Sequence, residues 1–353
     1  MAGKRGGAMR PGRWPLPEPE RFSHGLIIGK FAPFHRGHRF LIERALEQCE
    51  RVSVWVYSRP DFAQMPSPLR RNWIREAFPA RLFPGLQLLP DAPSAPLNSE
   101  PDATHRAYVR AVLEGWNIKP DAVFTSEAYG DALAAELDAV HVCVDAARAA
   151  VPISGTRLRA EVHAYRAFLD THVYAHFVGR VAVLGAESTG KSTLTRALGE
   201  SLGTSWVREY GRDVYERENG ALTPEHFLEI ALGHRALEDE AARAPGVHRW
   251  VFCDTHAATT LMWSYLLTGT ALPELHALAD ACRTRYAHTL LCAPDLPHEQ
   301  DGWRANTEVR TVQQGFIRQD LGTRGIGFTE VTGSVQARVT QVRALFANRE
   351  LSQ

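Results

Sequence analysis

Residues 180–192 read Arg180-Val181-Ala182-Val183-Leu184-Gly185-Ala186-Glu187-Ser188-Thr189-Gly190-Lys191-Ser192, and this stretch decides the fold of the second half of the chain. Arg180–Leu184 is a largely apolar run of strand length, and Gly185 to Ser192 matches G-x-x-x-x-G-K-[ST] in full. A helical pattern, Thr193–Leu202, follows. Strand, glycine loop and helix in that order make a phosphate cradle. Gly185 and Gly190 let the backbone curl until its N–H groups converge, and the helix N-terminus adds a favourable field for an anion. Lys191 is expected to reach the β- and γ-phosphates of a nucleotide, and the Ser192 hydroxyl to ligate Mg2+. Ala186, Glu187, Ser188, Thr189 and Thr193 complete the expected nucleotide contacts.

Such a loop needs a metal-side carboxylate on a neighbouring strand. Asp254 ends the apolar run Trp250–Cys253 and fits that place; its other use would be to cap the helix that follows. Arg208-Glu209-Tyr210-Gly211-Arg212 ends a strand expected near Ser205–Arg208, which makes Glu209 a candidate base for a substrate hydroxyl. The competing use is a surface Glu–Arg pair, worth little to stability. A helix is predicted over Pro224–Ala242, with Thr223 as N-cap and Pro224 in the first turn. Asp301-Gly302-Trp303-Arg304 lies in a polar stretch between a strand at Thr289–Cys292 and the last helices. Arg304, with Arg310, is placed to close over a transferring phosphate.

Working back toward the N-terminus, Gly29-Lys30-Phe31-Ala32-Pro33-Phe34-His35-Arg36-Gly37-His38 follows a strand at Gly25–Lys30 and opens a helix over His38–Cys49. H-x-G-H puts two imidazoles within one turn, and Gly37 lets a nucleotide approach the backbone. Two such donors suit a site that holds triphosphate and stabilises charge on an α-phosphate under attack. A Zn pair is the rival use, but no nearby Cys or acidic residue completes four ligands. Ile153-Ser154-Gly155-Thr156-Arg157-Leu158-Arg159 starts a later helix. Ser154 or Thr156 can cap it, while its N–H groups and Arg159 take phosphates. Further strands are expected at Val52–Tyr57, Ala122–Thr125 and Val140–Val144. Helices are expected at Arg70–Phe78, His105–Glu114, Asp131–Leu137 and Val162–Leu169, and Pro90–Pro101 is a long loop. Alternating strands and helices imply parallel sheets covered on both faces.

The chain has 353 residues, room for two domains, and its 44% hydrophobic content lets each bury a core. Forty basic and forty acidic residues cancel, so there is no general footprint for nucleic acid or anionic membrane. Five scattered cysteines without C-x-x-C spacing point to neither a disulfide framework nor a Zn ribbon, and to a reducing, cytoplasmic setting. No apolar run reaches membrane-span length. Met1–Glu20 is rich in Gly, Pro and Arg, has no apolar h-region, and reads as a flexible tail. Only four of the basic residues are lysine (Lys4, Lys30, Lys119, Lys191), and two of these fall inside the motifs, where a compact ammonium and a planar fork differ.

With these motifs in order, the chain from about residue 24 onward resembles the bifunctional nicotinamide-nucleotide adenylyltransferase/ribosylnicotinamide kinases. Thr125-Ser126-Glu127-Ala128-Tyr129-Gly130, Glu209-Tyr210-x-Arg212, Asp254-Thr255 with Thr259-Thr260, and Asp301-Gly302-x-Arg304 carry the likeness along with the P-loop, H-x-G-H and I-S-x-T-x-x-R. The resemblance implies an α/β chain of two parallel-sheet domains. A Rossmann-like nucleotidyltransferase over residues 21–175 would be followed by a P-loop NTPase-type kinase over 176–353. It implies phosphorylation of nicotinamide riboside, then adenylyl transfer from ATP to nicotinamide mononucleotide, with Mg2+ and with ATP as co-substrate. Lys30, His35, His38 and Arg159 would serve the adenylyl step, with Gly29, Phe31, Gly37, Ser154 and Thr156 on the nucleotide and Glu127 and Tyr129 on the mononucleotide. Lys191, Glu209, Asp254 and Arg304 would serve the kinase step, with Tyr210 and Arg212 on its substrate. No partner DNA or membrane is implied, and oligomeric state stays open. Two departures stand out. The helix-turn-helix of the regulatory members has no room here, and His256 stands where the family often has a second acid. Other readings are a different phosphate acceptor for the first half, or an ATP-binding sensor.

Overall fold

Two five-stranded sheets, all parallel, account for the alternation of apolar runs and amphipathic stretches. The computed structural model describes residues 21–92, 95–296 and 307–350. The chain divides into two units, Met1–Thr156 and Arg157–Gln353.

The first unit carries β1 (Phe22–Gly29), α1 (Arg36–Gln48), β2 (Cys49–Val56), α2 (Ser67–Ala77) and β3 (Leu86–Leu88). Then come α3 (Asp102–Gly115), β4 (Ala122–Thr125), α4 (Gly130–Glu136), β5 (Val140–Cys143) and the start of α5 (Gly155–Ala160). Strand order is β3-β2-β1-β4-β5. The order reverses between β1 and β4, whose register pairs Leu26 with Val123. A ligand crevice opens at such a switch point, outside the carboxyl ends of the strands. Leu26, Trp55, Val109, Leu113, Val123 and Leu133 form one core cluster on the sheet. Because both faces are covered, consecutive residues such as Leu26 and Ile27 are both fully buried.

The second unit begins in α5 and continues through α6 (Thr171–Tyr174), β6 (Gly179–Leu184), α7 (Lys191–Leu202), β7 (Trp206–Val207), α8 (Gly211–Arg217) and α9 (Pro224–Ala242). β8 (Trp250–Asp254), α10 (Ala257–Thr268), α11 (Pro273–Arg285) and β9 (His288–Cys292) follow, then α12 (Thr307–Thr323), β10 (Thr329–Val331) and α13 (Val335–Glu350). Strand order is β10-β9-β6-β8-β7, so the strand before the glycine loop is central. Val181, Val183, Leu194, Phe252, Leu290 and Val339 share its core. Among the described residues no helix is long and apolar enough to cross a membrane.

Two expectations differ from what is observed. The division falls after Thr156, upstream of residue 175, because the intervening segment packs with the second unit. His163 Nδ1 lies 2.9 Å from the Tyr174 hydroxyl, which accepts from the Arg249 N–H at 3.1 Å. The helix expected over Val162–Leu169 is absent: only a 3-10 turn, Arg166–Phe168, forms there. Leu169 alone is buried in that stretch, so no apolar face rewards helix formation. The expected tail and Asp301–Arg304 lie outside the described residues.

Candidate active sites

Positive φ angles shape the P-loop of the second unit: Gly185 at 150°, Ser188 at 56° and Gly190 at 81°. At Gly185 a Cβ would stand 2.5 Å from Thr189 Oγ1, so glycine is needed for space as well as for backbone angle. α7 starts at Lys191 and directs its free N–H groups at the loop. Lys191 Nζ donates to the Ala186 carbonyl at 3.1 Å, and Thr189 Oγ1 donates to the same oxygen at 2.8 Å. Two later helices hold the loop in place. On α12, Gln314 Oε1 accepts from the Ala186 N–H at 2.9 Å and Gln313 Oε1 from the Glu187 N–H at 3.2 Å. On α13 the fully buried Arg338 donates to the Thr189 and Ala293 carbonyls.

The P-loop residues Gly185–Ser188 and Gly190–Thr193 line a cleft of about 600 Å³, shared with Glu209, Arg212, Thr255, Met262 and Trp263. Asp254 ends β8 one strand away and is 1% exposed. Burial pushes its carboxyl up to about 6 and Glu209 adds to this, while Lys191 and a hydrogen bond from Ser192 oppose it. Its Oδ1 is buried without a hydrogen-bond partner among the described residues. An orphaned carboxylate oxygen beside a hydroxyl fits Mg2+, which keeps several waters and takes phosphate oxygens rather than demanding an all-protein cage. No group of three or more His, Cys, Asp or Glu among the described residues could hold a metal ion, and this site does not need one.

Asp254 does not cap the next helix. His256 does: its Nδ1 accepts from the Thr259 N–H at 3.4 Å, and its N–H reaches Thr259 Oγ1 at 3.3 Å. Burial lowers this imidazole to about 4, which keeps it neutral and able to accept. The departure at position 256 is thus a helix cap. Between the two, Thr255 sits at φ 74°, a strained conformation for a β-branched residue, and turns the chain into the cleft wall.

Glu209 and Arg212 both line the cleft. The neighbouring Arg208 forms a two-pronged pair with Asp213, its Nη2 at 2.6 Å, so the surface pair runs to that residue. Tyr210 does not line the cleft; its ring lies on α9, where a Cβ at Gly233 would meet it at 2.3 Å. Arg310 is buried and donates to the Leu296 carbonyl at 3.0 Å.

In the first unit, His35 is the N-cap of α1, and its Nδ1 accepts from the Gly37 N–H at 3.1 Å and the His38 N–H at 3.4 Å. A neutral ring that accepts at Nδ1 carries its proton on Nε2, which leaves a donor there. The His35 and His38 rings stack with centroids 3.7 Å apart. Burial, then the Arg148 charge, lowers His35 to about 4; His38 is held well below the usual imidazole value by burial, His35 and Arg148. A Cβ at Gly37 would meet the His35 ring at 3.0 Å, and one at Gly29 would meet the Phe31 ring at 3.0 Å. Phe31 itself turns the chain at φ 49°.

Around these histidines, Tyr129 reaches from β4's end to the Ile28 carbonyl at 3.4 Å, across the switch point. Glu127 pairs with Arg148 at 3.2 Å. Lys30 is exposed, and its carbonyl is held by the buried Arg70, which also donates to the Tyr57 carbonyl at 3.0 Å. Ser154 immediately precedes α5 and Thr156 lies in its first turn, while Arg159 falls in the second unit's share of that helix. Sequence reasoning missed Arg70, Arg148, Gln313, Gln314, Arg338 and Trp263. None sits in a motif, and nothing in the sequence distinguishes a buried arginine or glutamine from a surface one.

A family model described as an AAA domain matches residues 180–338. The trifunctional NAD biosynthesis/regulator protein NadR of Escherichia coli (strain K12) is 30% identical over 325 residues, 87% of this chain and 78% of that protein. Its counterpart from Salmonella typhimurium is 28% identical over the same shares. A solved structure of NadR in complex with NR superposes with TM-score 0.68 at 22% identity, over 88% of this chain and 91% of that one. Another, with NAD and AMP-PNP, gives 0.69 at 21%, over 92% and 96%. At these identities the structures carry the fold.

Proposed function

The chain belongs to the NadR family of NAD biosynthesis proteins, and from that premise we propose that its two units catalyse consecutive steps. The second unit phosphorylates the 5′-hydroxyl of nicotinamide riboside. The first joins the resulting mononucleotide to AMP from ATP, giving NAD and pyrophosphate.

One observation carries the reading: a single cleft is lined by the P-loop lysine and serine and by a carboxylate and a guanidinium that follow β7, Glu209 in the loop and Arg212 in the first turn of α8. That is a phosphate site facing an acceptor site. The riboside oxygen attacks the γ-phosphorus, and the bond to the β–γ bridging oxygen breaks with its electron pair leaving on ADP. The hydroxyl proton passes to Glu209, which leaves Asp254 ionised for the metal. Lys191, released from the Ala186 carbonyl, neutralises the transferring group. Ser192 and Asp254 would hold Mg2+, which supplies charge neutralisation across the β- and γ-phosphates. Trp263 lines the same cleft, and the pyridinium of the riboside is a cation suited to an indole ring.

For the adenylyl step, stacked neutral histidines at the start of α1 supply donors to developing charge on the α-phosphate, and Lys30 adds a cation. The mononucleotide phosphate attacks the α-phosphorus, and pyrophosphate leaves with the electrons of the broken bond. Glu127 and Tyr129, held at the switch point, border the mononucleotide. Ser154, Thr156 and Arg159 take the outer phosphates.

Product analysis tests this. Wild type given ATP-Mg2+ and riboside should form ADP, pyrophosphate and NAD. Lys191→Ala should use the mononucleotide but not the riboside. His38→Ala should accumulate mononucleotide from riboside. Loss of both reactions in either folded variant would overturn the two-site reading. Tight nucleotide binding without turnover would favour a sensor, and turnover with another acceptor would replace the substrate.

A further inference from the structure

α12 presents two consecutive glutamines, Gln313 and Gln314, to one loop, and both are buried, at 4% and 5% exposed. Each amide orientation is determined. The P-loop groups they meet are the Glu187 and Ala186 N–H, which can only donate, so the oxygens face the loop and the –NH2 groups face away. Gln314 is satisfied on both sides, since its Nε2 donates to the Cys292 carbonyl at 3.0 Å. Gln313 is not: its Nε2 has no acceptor among the described residues, although the residue lines the cleft with Ser188, Lys191 and Ser192. That nitrogen is not sealed in by protein, so its two N–H groups are open to the cleft, where a ligand oxygen can accept from them.

We propose that Gln313 contacts the terminal phosphoryl group of the bound nucleoside triphosphate, a contact that rests on the kinase reading above. Glu187 is the third residue of the loop, whereas the N–H groups of Lys191, Ser192 and Thr193 open α7 at its other end. Phosphates cradled by α7 therefore lie on one side, and the group in transfer lies toward Glu187, Gln313 and the acceptor-side pair Glu209 and Arg212. Gln313 Nε2 donates to a non-bridging oxygen of the γ-phosphoryl while the 5′-oxygen bonds to phosphorus and the bridging bond to ADP breaks. It transfers no proton. Its own oxygen stays on the Glu187 N–H, so contact with the phosphoryl and the shape of the loop are linked through one side chain.

Gln313→Glu isolates the donor, because it keeps an oxygen for the Glu187 N–H and replaces –NH2 by an oxygen. Calorimetry with Mg-ADP and Mg-AMP-PNP should show ADP affinity within about threefold of wild type and AMP-PNP affinity weakened about tenfold or more. Riboside-dependent ADP formation should fall about 10²-fold in kcat, the usual consequence of losing one preorganised donor. Gln313→Met, uncharged and of similar length, removes the donor together with the acceptor for the Glu187 N–H and should lose about tenfold or more in kcat. Equal effects on ADP and AMP-PNP, or no effect on either in Gln313→Glu, would reduce Gln313 to a loop clamp and overturn the proposal. Wild type that forms no ADP with riboside would sink the kinase reading instead, and the contrast between ADP and AMP-PNP would still decide Gln313.

Discussion

Val183 of β6 pairs with Asp254 of β8 in parallel register, which sets the carboxylate one strand from the loop that carries Ser192. Because β8 ends there, the acid is enclosed by its own sheet and lifted to about 6. Its ordinary value is near 4, so between about 4 and 6 the folded state binds more protons than the unfolded one. Stability without ligand therefore falls as pH rises through that window.

Asp254→Asn should accordingly raise the nucleotide-free melting temperature at pH 7.5 and abolish the stabilisation given by Mg-ADP. In wild type, Mg-ADP affinity should drop below pH 6, toward about tenfold per unit, since the metal needs the carboxylate. Titration calorimetry between pH 5 and 8 checks this. A flat profile would contradict a protonated Asp254 in the free protein.

His35 is read as a neutral cap whose Nε2–H faces the nucleotide. Its ring resonances should titrate near pH 4 rather than near the ordinary value of about 6.5. A folded value depressed in this way stabilises the protein fully above about 6.5, and the contribution is lost as pH falls toward 4. His35→Asn keeps a capping side chain and should retain stability while losing adenylyl transfer. His35→Ala should lose about 1 kcal/mol as well. A titration midpoint at 6 or above would refute the assignment.

His38→Ala should cut pyrophosphate release from ATP and nicotinamide mononucleotide by about 10²–10³. A variant that keeps more than half of wild-type turnover removes His38 from the site.

Gly130 opens α4 directly against His141, where a Cβ would stand 2.1 Å from Nε2. That nitrogen lies 2.8 Å from Thr125 Oγ1, and Nδ1 lies 2.6 Å from Asp131 Oδ1. Gly130→Ala must push the ring out of both bonds. Stability should fall by about 1–3 kcal/mol, and the mononucleotide KM should rise because Thr125 also donates to the Glu127 carbonyl. Unchanged denaturation midpoint and KM would show that the ring finds another seat at no cost.

Glu238 is fully buried on α9, accepting from Arg285 Nε at 2.6 Å and the Tyr286 hydroxyl at 2.5 Å. Arg285→Met leaves a buried carboxylate without its counter-charge, so the second unit should lose about 3–5 kcal/mol. Chemical denaturation followed by nucleotide-binding signal measures it, and a loss under about 1 kcal/mol would mean the carboxylate is relieved by water.

Motifs that are contiguous in the chain were legible without coordinates. The P-loop and H-x-G-H depend on backbone angles and helix starts within ten residues, so glycine spacing and flanking apolar runs suffice to place them. Most strands followed for the same local reason, including the edge strands β5 and β7; β3 and β10, three residues each, were not expected. Val162–Leu169, expected as a helix, has no buried face and forms only a 3-10 turn at Arg166–Phe168.

By itself, the sequence determined the two-unit α/β order, the phosphate loop, the histidine pair and the acid at the end of β8. Only the tertiary structure decided which polar residues leave water to serve them. Ala186 meets Gln314 across 128 positions, and Thr189 meets Arg338 across 149. It also decided that His256, not Asp254, caps α10. A buried glutamine or arginine is identified by the partner that satisfies it, and that partner lies on another element brought close only when the apolar faces of both pack on one sheet.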